Sequence, residues 1–446
     1  MRQRGFGQWI QRFAAALFSD LQYRFLFAAK TSCKPLQNRA QIGPFTLAKG
    51  LSQISGTMPH STHRLRKFRF NRPQQIAAVL LALLLGQCLW VVWHRTLSET
   101  DYEFARCGRE MWERPSPLAG YFTTCGNIHD GTLAYRAAGL PLTLQRILAG
   151  QASSTSTWEM RHEVSYISVL LRLPFVFAAM ALGACLWWVT RRLYGNTGGY
   201  VALALYCFAP PVIAAATYPN NEIWAAFGLF AAVYTAIGVS HAMQGPRKKW
   251  RPRIVLLTVV LGFTAAAHVS AFVLALLLTV IFMAYLAEGK RSYLPTLLIV
   301  WVLGSMLILF ASYAFRPDAF SYVLRSEAAK IGLSLEPARM FFSTLTNAGI
   351  AIASAGALAL YLAMRRSRYF GNTAPLAVAL LLLVMVTTGV QTEMWLWSLP
   401  FLLAFVGGVF ADVLETSYRR WFLWITGALL LAQAALCVAG LPLLAR

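Results

Sequence analysis

The chain has 446 residues, 57% of them hydrophobic and only 13% charged, with a mean hydropathy of +0.53 and a formal net charge of +23. Globular domains carry about 25% charged residues, so a soluble fold is excluded for most of this length. Lys and Arg recur in short clusters between apolar runs of about 20 residues, which excludes one basic nucleic-acid-binding face and points to a chain oriented in a membrane by its charge.

Residues 1–75 hold no run long enough to span, and the apolar patch from Phe13 to Phe18 ends at Asp20, unlike a signal peptide. Trp9, Phe13, Leu17 and Leu21 recur at helical spacing beside Arg12 and Arg24, a pattern that suits a basic amphipathic helix on the membrane surface. The mixed composition favours a basic cytoplasmic tail with little order. Met58, ahead of PHSTHRLRKFRFNRPQQ and an apolar run, would by itself make a normal cytoplasmic start.

From residue 76 to 441 the apolar runs predict an all-α polytopic membrane domain with about eleven transmembrane helices. They fall at 76–94, 167–190, 199–217, 222–243, 254–269, 270–287, 294–314, 341–363, 373–390, 395–410 and 421–441. With the basic N-terminus inside, alternate connections should be cytoplasmic and basic. Arg191-Arg192, the Arg247 to Arg253 run, Lys290-Arg291, the Arg365 to Arg368 run and Arg419-Arg420 satisfy this. The carboxylates give a second test: of 17, only Asp20, Glu288, Asp412 and Glu415 fall inside. Acids are not part of the positive-inside rule, so their concentration outside points to a task on the outer face. Two outer segments are long, 95–166 and 315–340. Within the first, Asp101 to Trp112 and Thr132 to Leu148 have helical spacing and too little length to cross, as in juxtamembrane helices.

Seven cysteines, at 33, 88, 107, 125, 185, 207 and 437, form no CxxC pair and no His-rich spacing, so no metal site or cofactor is expected. Cys88, Cys185, Cys207 and Cys437 fall in apolar runs as small core residues. Cys107 and Cys125 share the first outer loop, where a disulfide and two free thiols are both compatible with the spacing.

The densest chemical constellation follows the first span: Glu99-Thr100-Asp101-Tyr102-Glu103, closing on Gly108-Arg109-Glu110-Met111-Trp112. It resembles the first outer loop of the GT-C superfamily of membrane glycosyltransferases, specifically the bacterial relatives of protein O-mannosyltransferases and aminoarabinose transferases. There an acidic pair precedes an alanine-rich helix ending in a pattern like A-R-E-M-L. In that register Asp101 takes the second acidic position and Thr100 replaces the first. Leu171-Arg172-Leu173-Pro174, Arg191-Arg192-Leu193-Tyr194-Gly195, Pro210-Pro211 and Tyr218-Pro219-Asn220-Asn221-Glu222 extend the likeness over about residues 76–245. His129-Asp130 before Gly131-Thr132-Leu133-Ala134-Tyr135 resembles the family's segment that normally carries a Pro-Pro pair, which this chain lacks.

The resemblance implies inverting transfer of a sugar from a polyprenyl-phosphate donor to an extracytoplasmic glycan, lipid or protein acceptor, at the outer face of the cytoplasmic membrane. It implies Asp101 as the carboxylate that takes the acceptor proton, with a helix N-cap as the alternative, and Glu222 as a second acid, with helix N-terminal stabilisation as the alternative. His129, Asp130 and Tyr135 fall in a substrate-binding stretch. His268 stands where relatives hold a phosphate-binding Lys, and as a satisfied core residue otherwise. Arg316, Arg325 and Lys330 are further cations for a phosphate, or solvated groups. Arg172 is expected to be structural, pairing with an outer carboxylate. A transporter or flippase would place ionisable groups at the midplane, where this sequence has almost none. A non-catalytic GT-C-like scaffold is compatible with Thr100 and the missing Pro-Pro pair.

Overall fold

The computed structural model describes residues 71–113, 125, 128, 131–149, 164–287, 289–328, 331–387, 394–416 and 419–445, so most of the expected tail at 1–75 lies outside the described residues. The first helix, α1 (Arg72–His94), opens on a capping box: the Asn71 backbone N–H donates to Gln74 Oε1 at 3.0 Å, with Pro73 in the first turn. The outer loop follows as α2 (Glu99–Glu113) and α3 (Leu133–Ala149), crossing where neither backbone has room for a side chain. A methyl group on Gly139 would lie 2.1 Å from the Gly108 carbonyl carbon. Cys107 and Cys125 form a disulfide, with Cα atoms 5.4 Å apart, that ties α2 to its loop.

Two expected spans lie in one helical run, α4 (Val164–Cys207), which folds back on itself at Gly195, where φ is +78° and glycine is favoured. Tyr206 on the returning half donates its hydroxyl to the Ala179 carbonyl at 2.8 Å. The later of these two spans was expected at 199–217. Instead it breaks at Phe208-Ala209 and resumes as the short α5 (Pro210–Ala216), because Pro210 and Pro211 have no N–H to continue the ladder. The carbonyls freed there are met by side chains: Gln87 Nε2 donates to Cys207 O at 3.3 Å, and Gln433 Nε2 to Phe208 O at 2.8 Å.

The chain continues through α6 (Glu222–Met243), α7 (Arg247–Ala267), α8 (Val269–Leu286), α9 (Leu294–Ser312), α10 (Pro317–Ala328), α11 (Glu336–Ser343), α12 (Ala348–Ala363), α13 (Phe370–Val384), α14 (Leu399–Leu414) and α15 (Arg419–Leu444). Among the described residues nine helices are long and apolar enough to cross a membrane, and α13 is a shorter apolar one. The predicted span at 341–363 starts later, at Ala348, with α11 separate. The predicted span at 373–390 ends at Val384 and runs into Met385–Thr387, which pairs antiparallel with Ile331–Leu333. That three-residue ladder is an addition to an otherwise helical protein.

The core runs along α14, the most buried of the long helices. It presses on α4 where a methyl on Gly407 would lie 2.5 Å from Gly198 O, and its Phe401 packs on Phe230 with centroids 5.2 Å apart. Trp421 and Trp424 of α15 point outward. Side-chain contacts define the two ends of the bundle. At one, Lys290 Nζ bonds the carbonyls of Met243 and Gly245, Arg253 donates to Gly238 O, and Tyr194 bonds Gly371 O; this is the basic end. At the other lie the outer-loop helices and most described carboxylates. The protein is a multi-pass membrane protein with one basic end and an opposite end that gathers most described carboxylates together with arginines.

Candidate functional site

At the end that carries the outer-loop helices, Asp101 is 1% exposed and Arg172 is fully buried. Arg172 grips both carboxylate oxygens, Nη2 to Oδ2 at 2.8 Å and Nε to Oδ1 at 3.3 Å, the fork geometry that only arginine offers. The Ser98 backbone N–H and hydroxyl each donate to Oδ2 at 2.9 Å, so Ser98 and Asp101 also start α2 as a capping pair. The guanidinium reaches Val92 O, Arg95 O and Thr96 O as well, satisfying carbonyls at and just beyond the end of α1. Asp101 therefore joins three elements, and its lone pairs are largely committed.

A second cluster lies at the far end of α2. Arg136 of α3 donates through Nε to Ser312 O at 2.7 Å and through Nη1 to Met111 O at 3.3 Å, and its guanidinium lies 5.4 Å from the Trp112 ring centre. Thr132 Oγ1 donates to the same Ser312 O at 3.0 Å, so α3 docks on the last residue of α9. Burial, and then repulsion from Arg316, lower the Arg136 guanidinium to about 10. Burial likewise lowers Arg316, which the negative charge of Glu110 opposes. Glu110 Oε2 lies 3.6 Å from Cys125 Sγ, placing the disulfide beside this cluster. The turn that presents Arg316 holds Ala314 and Phe315 at φ of +54° and +58°, a left-handed pair without glycine. A half-buried Arg136 and a buried Arg316 thus stand close enough to repel, with the Glu110 carboxylate acting on Arg316.

The remaining expected residues are spread over the same end. Glu222 begins α6 and is 1% exposed, just beyond the turn in which Asn220 Nδ2 donates to Ala215 O and Asn220 Oδ1 accepts from the Ile223 N–H. Arg95 stands over the Tyr218 ring at 4.9 Å, bringing this turn to the end of α1 and so to the Asp101–Arg172 pair. His268 interrupts the α7–α8 run with an extended backbone, is 3% exposed, and meets Trp397 edge-on. Gly131 presses on the end of α7, where a methyl would lie 2.0 Å from Ala266 O, so the outer loop reaches the residues next to His268. Tyr135 stacks on Phe104 with centroids 4.0 Å apart. Arg325 is exposed on α10. His129, Asp130 and Lys330 lie outside the described residues. Arg136 and Ser98 escaped the sequence reading. Arg136 sits among apolar residues with no motif around it, whereas Ser98 was legible as the first position of an S-x-x-D capping signature.

The architecture is that of an outer-loop helix pair seated on a membrane bundle, with ionisable side chains drawn to one end. Among solved structures, apo ArnT from Cupriavidus metallidurans matches with a TM-score of 0.56 at 14% identity, over 80% of this chain and 63% of that one. The same protein bound to undecaprenyl phosphate matches at 0.55 and 15% identity, over 81% and 63%. The Archaeoglobus fulgidus oligosaccharyltransferase in complex with Zn and sulfate matches at 0.50 and 14% identity, over 82% and 53%. The chain thus shares the fold of these proteins and spans about 63% of the length of the ArnT structures. No family model and no curated protein matches the sequence.

Proposed function

We propose that this protein is a glycosyltransferase of the cytoplasmic membrane that moves a sugar from a polyprenyl-phosphate donor to an acceptor on the extracytoplasmic side. The observation that carries the reading is the pairing of half-buried Arg136 with buried Arg316 where the outer loop docks on a GT-C bundle whose fold ArnT shares. That fold, in ArnT, binds undecaprenyl phosphate. The arginines would hold the phosphate as it leaves.

Transfer with inversion forms a bond between the acceptor oxygen and the anomeric carbon while the bond from that carbon to the phosphate oxygen breaks. The phosphate keeps the bonding electron pair and the acceptor proton passes to a carboxylate. Asp101 and Glu222 are the two carboxylates in question. With Arg172 and Ser98 occupying its oxygens, Asp101 suits the positioning of α2, which favours Glu222, at the head of α6, as the proton acceptor. The test is release of labelled sugar from undecaprenyl-phosphate-linked sugars in proteoliposomes supplied with envelope extract as acceptor. Glu222→Gln should lower transfer by about two to four orders of magnitude with an unchanged melting temperature; transfer at the wild-type rate would refute its role.

The committed lone pairs of Asp101, together with Thr100 at the neighbouring position, favour one second reading: a GT-C-fold protein that binds the lipid phosphate without transferring sugar. Saturable binding of undecaprenyl phosphate with no transfer to any extract would decide for it.

A further inference from the structure

We infer that Trp224, His268 and Trp397 form the subsite for the sugar of the lipid-linked donor, an inference that rests on the polyprenyl-phosphate reading above. The three residues come from different elements and lie at the same level of the bundle, at the end that carries the outer loop. The His268 ring lies 5.1 Å from that of Trp397 at an interplanar angle of 77°. The crossing of α6 and α7 brings Trp224 to the same level: a methyl on Gly228 would lie 2.3 Å from Thr264 Oγ1. Successive helices run in opposite directions, so Trp224, one turn before Gly228, is level with His268, one turn after Thr264. Phe263 and Phe175 abut Trp224 edge-on, with centroids 5.7 and 6.2 Å away, and hold its ring.

Both indole Nε1 atoms are buried with no hydrogen-bond acceptor among the described residues, and Trp397 as a whole is 1% exposed. A buried donor without an acceptor is costly and uncommon in native proteins. Trp187, Trp250 and Trp301 share that condition, each on a different helix, whereas Trp397 meets the His268 ring and Trp224 stands level with it on the neighbouring helix. Neutral N–H donors set among aromatic faces suit the hydroxyl and ring oxygens of a pyranose. A phosphate is better met by the guanidiniums of Arg136 and Arg316. The donor is thereby divided, its phosphate to the arginines and its sugar to the indoles.

The test compares wild type, Trp224→Phe and Trp397→Phe in lipid nanodiscs. Kd is measured for undecaprenyl phosphate and for undecaprenyl phosphate carrying glucose, mannose, N-acetylglucosamine or arabinose. At least one glycosylated lipid should bind wild type more tightly than the bare lipid, and each Phe variant should weaken that binding by about three- to tenfold. Bare-lipid affinity should stay unchanged, because Phe keeps an aromatic ring and removes the donor; the smaller ring also leaves space in the core, so a modest fall in melting temperature accompanies either variant. Equal loss for bare and glycosylated lipid would assign the indoles to the phosphate and overturn the sugar subsite. Unchanged binding of every glycosylated lipid would overturn it too. A wild type that binds bare lipid and gains nothing from any sugar refutes the subsite alone; one that binds none of the lipids refutes the polyprenyl-phosphate reading itself.

Discussion

Arg172 spends its guanidinium on Asp101 and on three carbonyls at the end of α1, with no exposure to solvent. Removing one member of a buried pair strands the other, at about 3–5 kcal/mol, whereas removing both costs far less than the sum. Asp101→Asn and Arg172→Met should therefore each lower resistance to denaturant by a similar amount, and the double variant by little more than either alone. Unfolding in detergent reads this directly, and additive losses would show the pair to be uncoupled. At this scale the sequence was informative where a motif carried meaning: Asp101 stood out as an acid that could also cap, and Arg172 as a structural partner for an outer carboxylate. It was silent on Arg136, whose importance comes from the distant Ser312 carbonyl that it meets.

Helices were legible where apolar runs and prolines agree, and least legible where the backbone departs from a straight rod. The return of α4 at Gly195 matches the expected pair of spans, but the break at Phe208-Ala209 and its capture by Gln87 and Gln433 rest on residues more than a hundred positions apart. A carbonyl inside an apolar slab needs a donor from the protein itself. Gln433 supplies one to both Phe208 O and Thr346 O, the latter at 3.0 Å. Gln433→Leu keeps the volume and deprives both, so it should cost about 1–3 kcal/mol per carbonyl, read as a fall in melting temperature. Gln433→Glu, which retains acceptors where donors are needed, should do no better. A stable Gln433→Leu protein would show that water reaches the break. The short ladder of Ile331–Leu333 with Met385–Thr387 was invisible because three residues carry no periodicity.

For the molecule as a whole, the placing of Lys and Arg predicted a bundle with one basic end, and the links from Lys290 to Met243 and from Tyr194 to Gly371 gather those connections together. The acids supplied the complementary end. Orientation in the membrane follows from the same asymmetry: single cysteines introduced at Gln244 and Tyr121 should react with an impermeant maleimide from opposite sides of a sealed vesicle. Labelling of both from one side would overturn the assignment. What could not be foreseen was the depth at which the outer loop seats on the bundle, since the glycine contacts at Gly108, Gly131 and Gly139 depend on partners that no local pattern names.

The capture of Phe208 O by Gln433 also has a temporal side. During synthesis the first half of the bundle inserts with this carbonyl unmet, and its donor emerges only after more than two hundred further residues have been made. The first and last helices then close on the same break, Gln87 from one and Gln433 from the other, with Cys437 Sγ 3.4 Å from Gln87 Oε1 joining the two. The nascent protein thus carries an unfinished seam in the bilayer until its final helix arrives. An arrested chain would present that seam to membrane quality control, and the completed one would not.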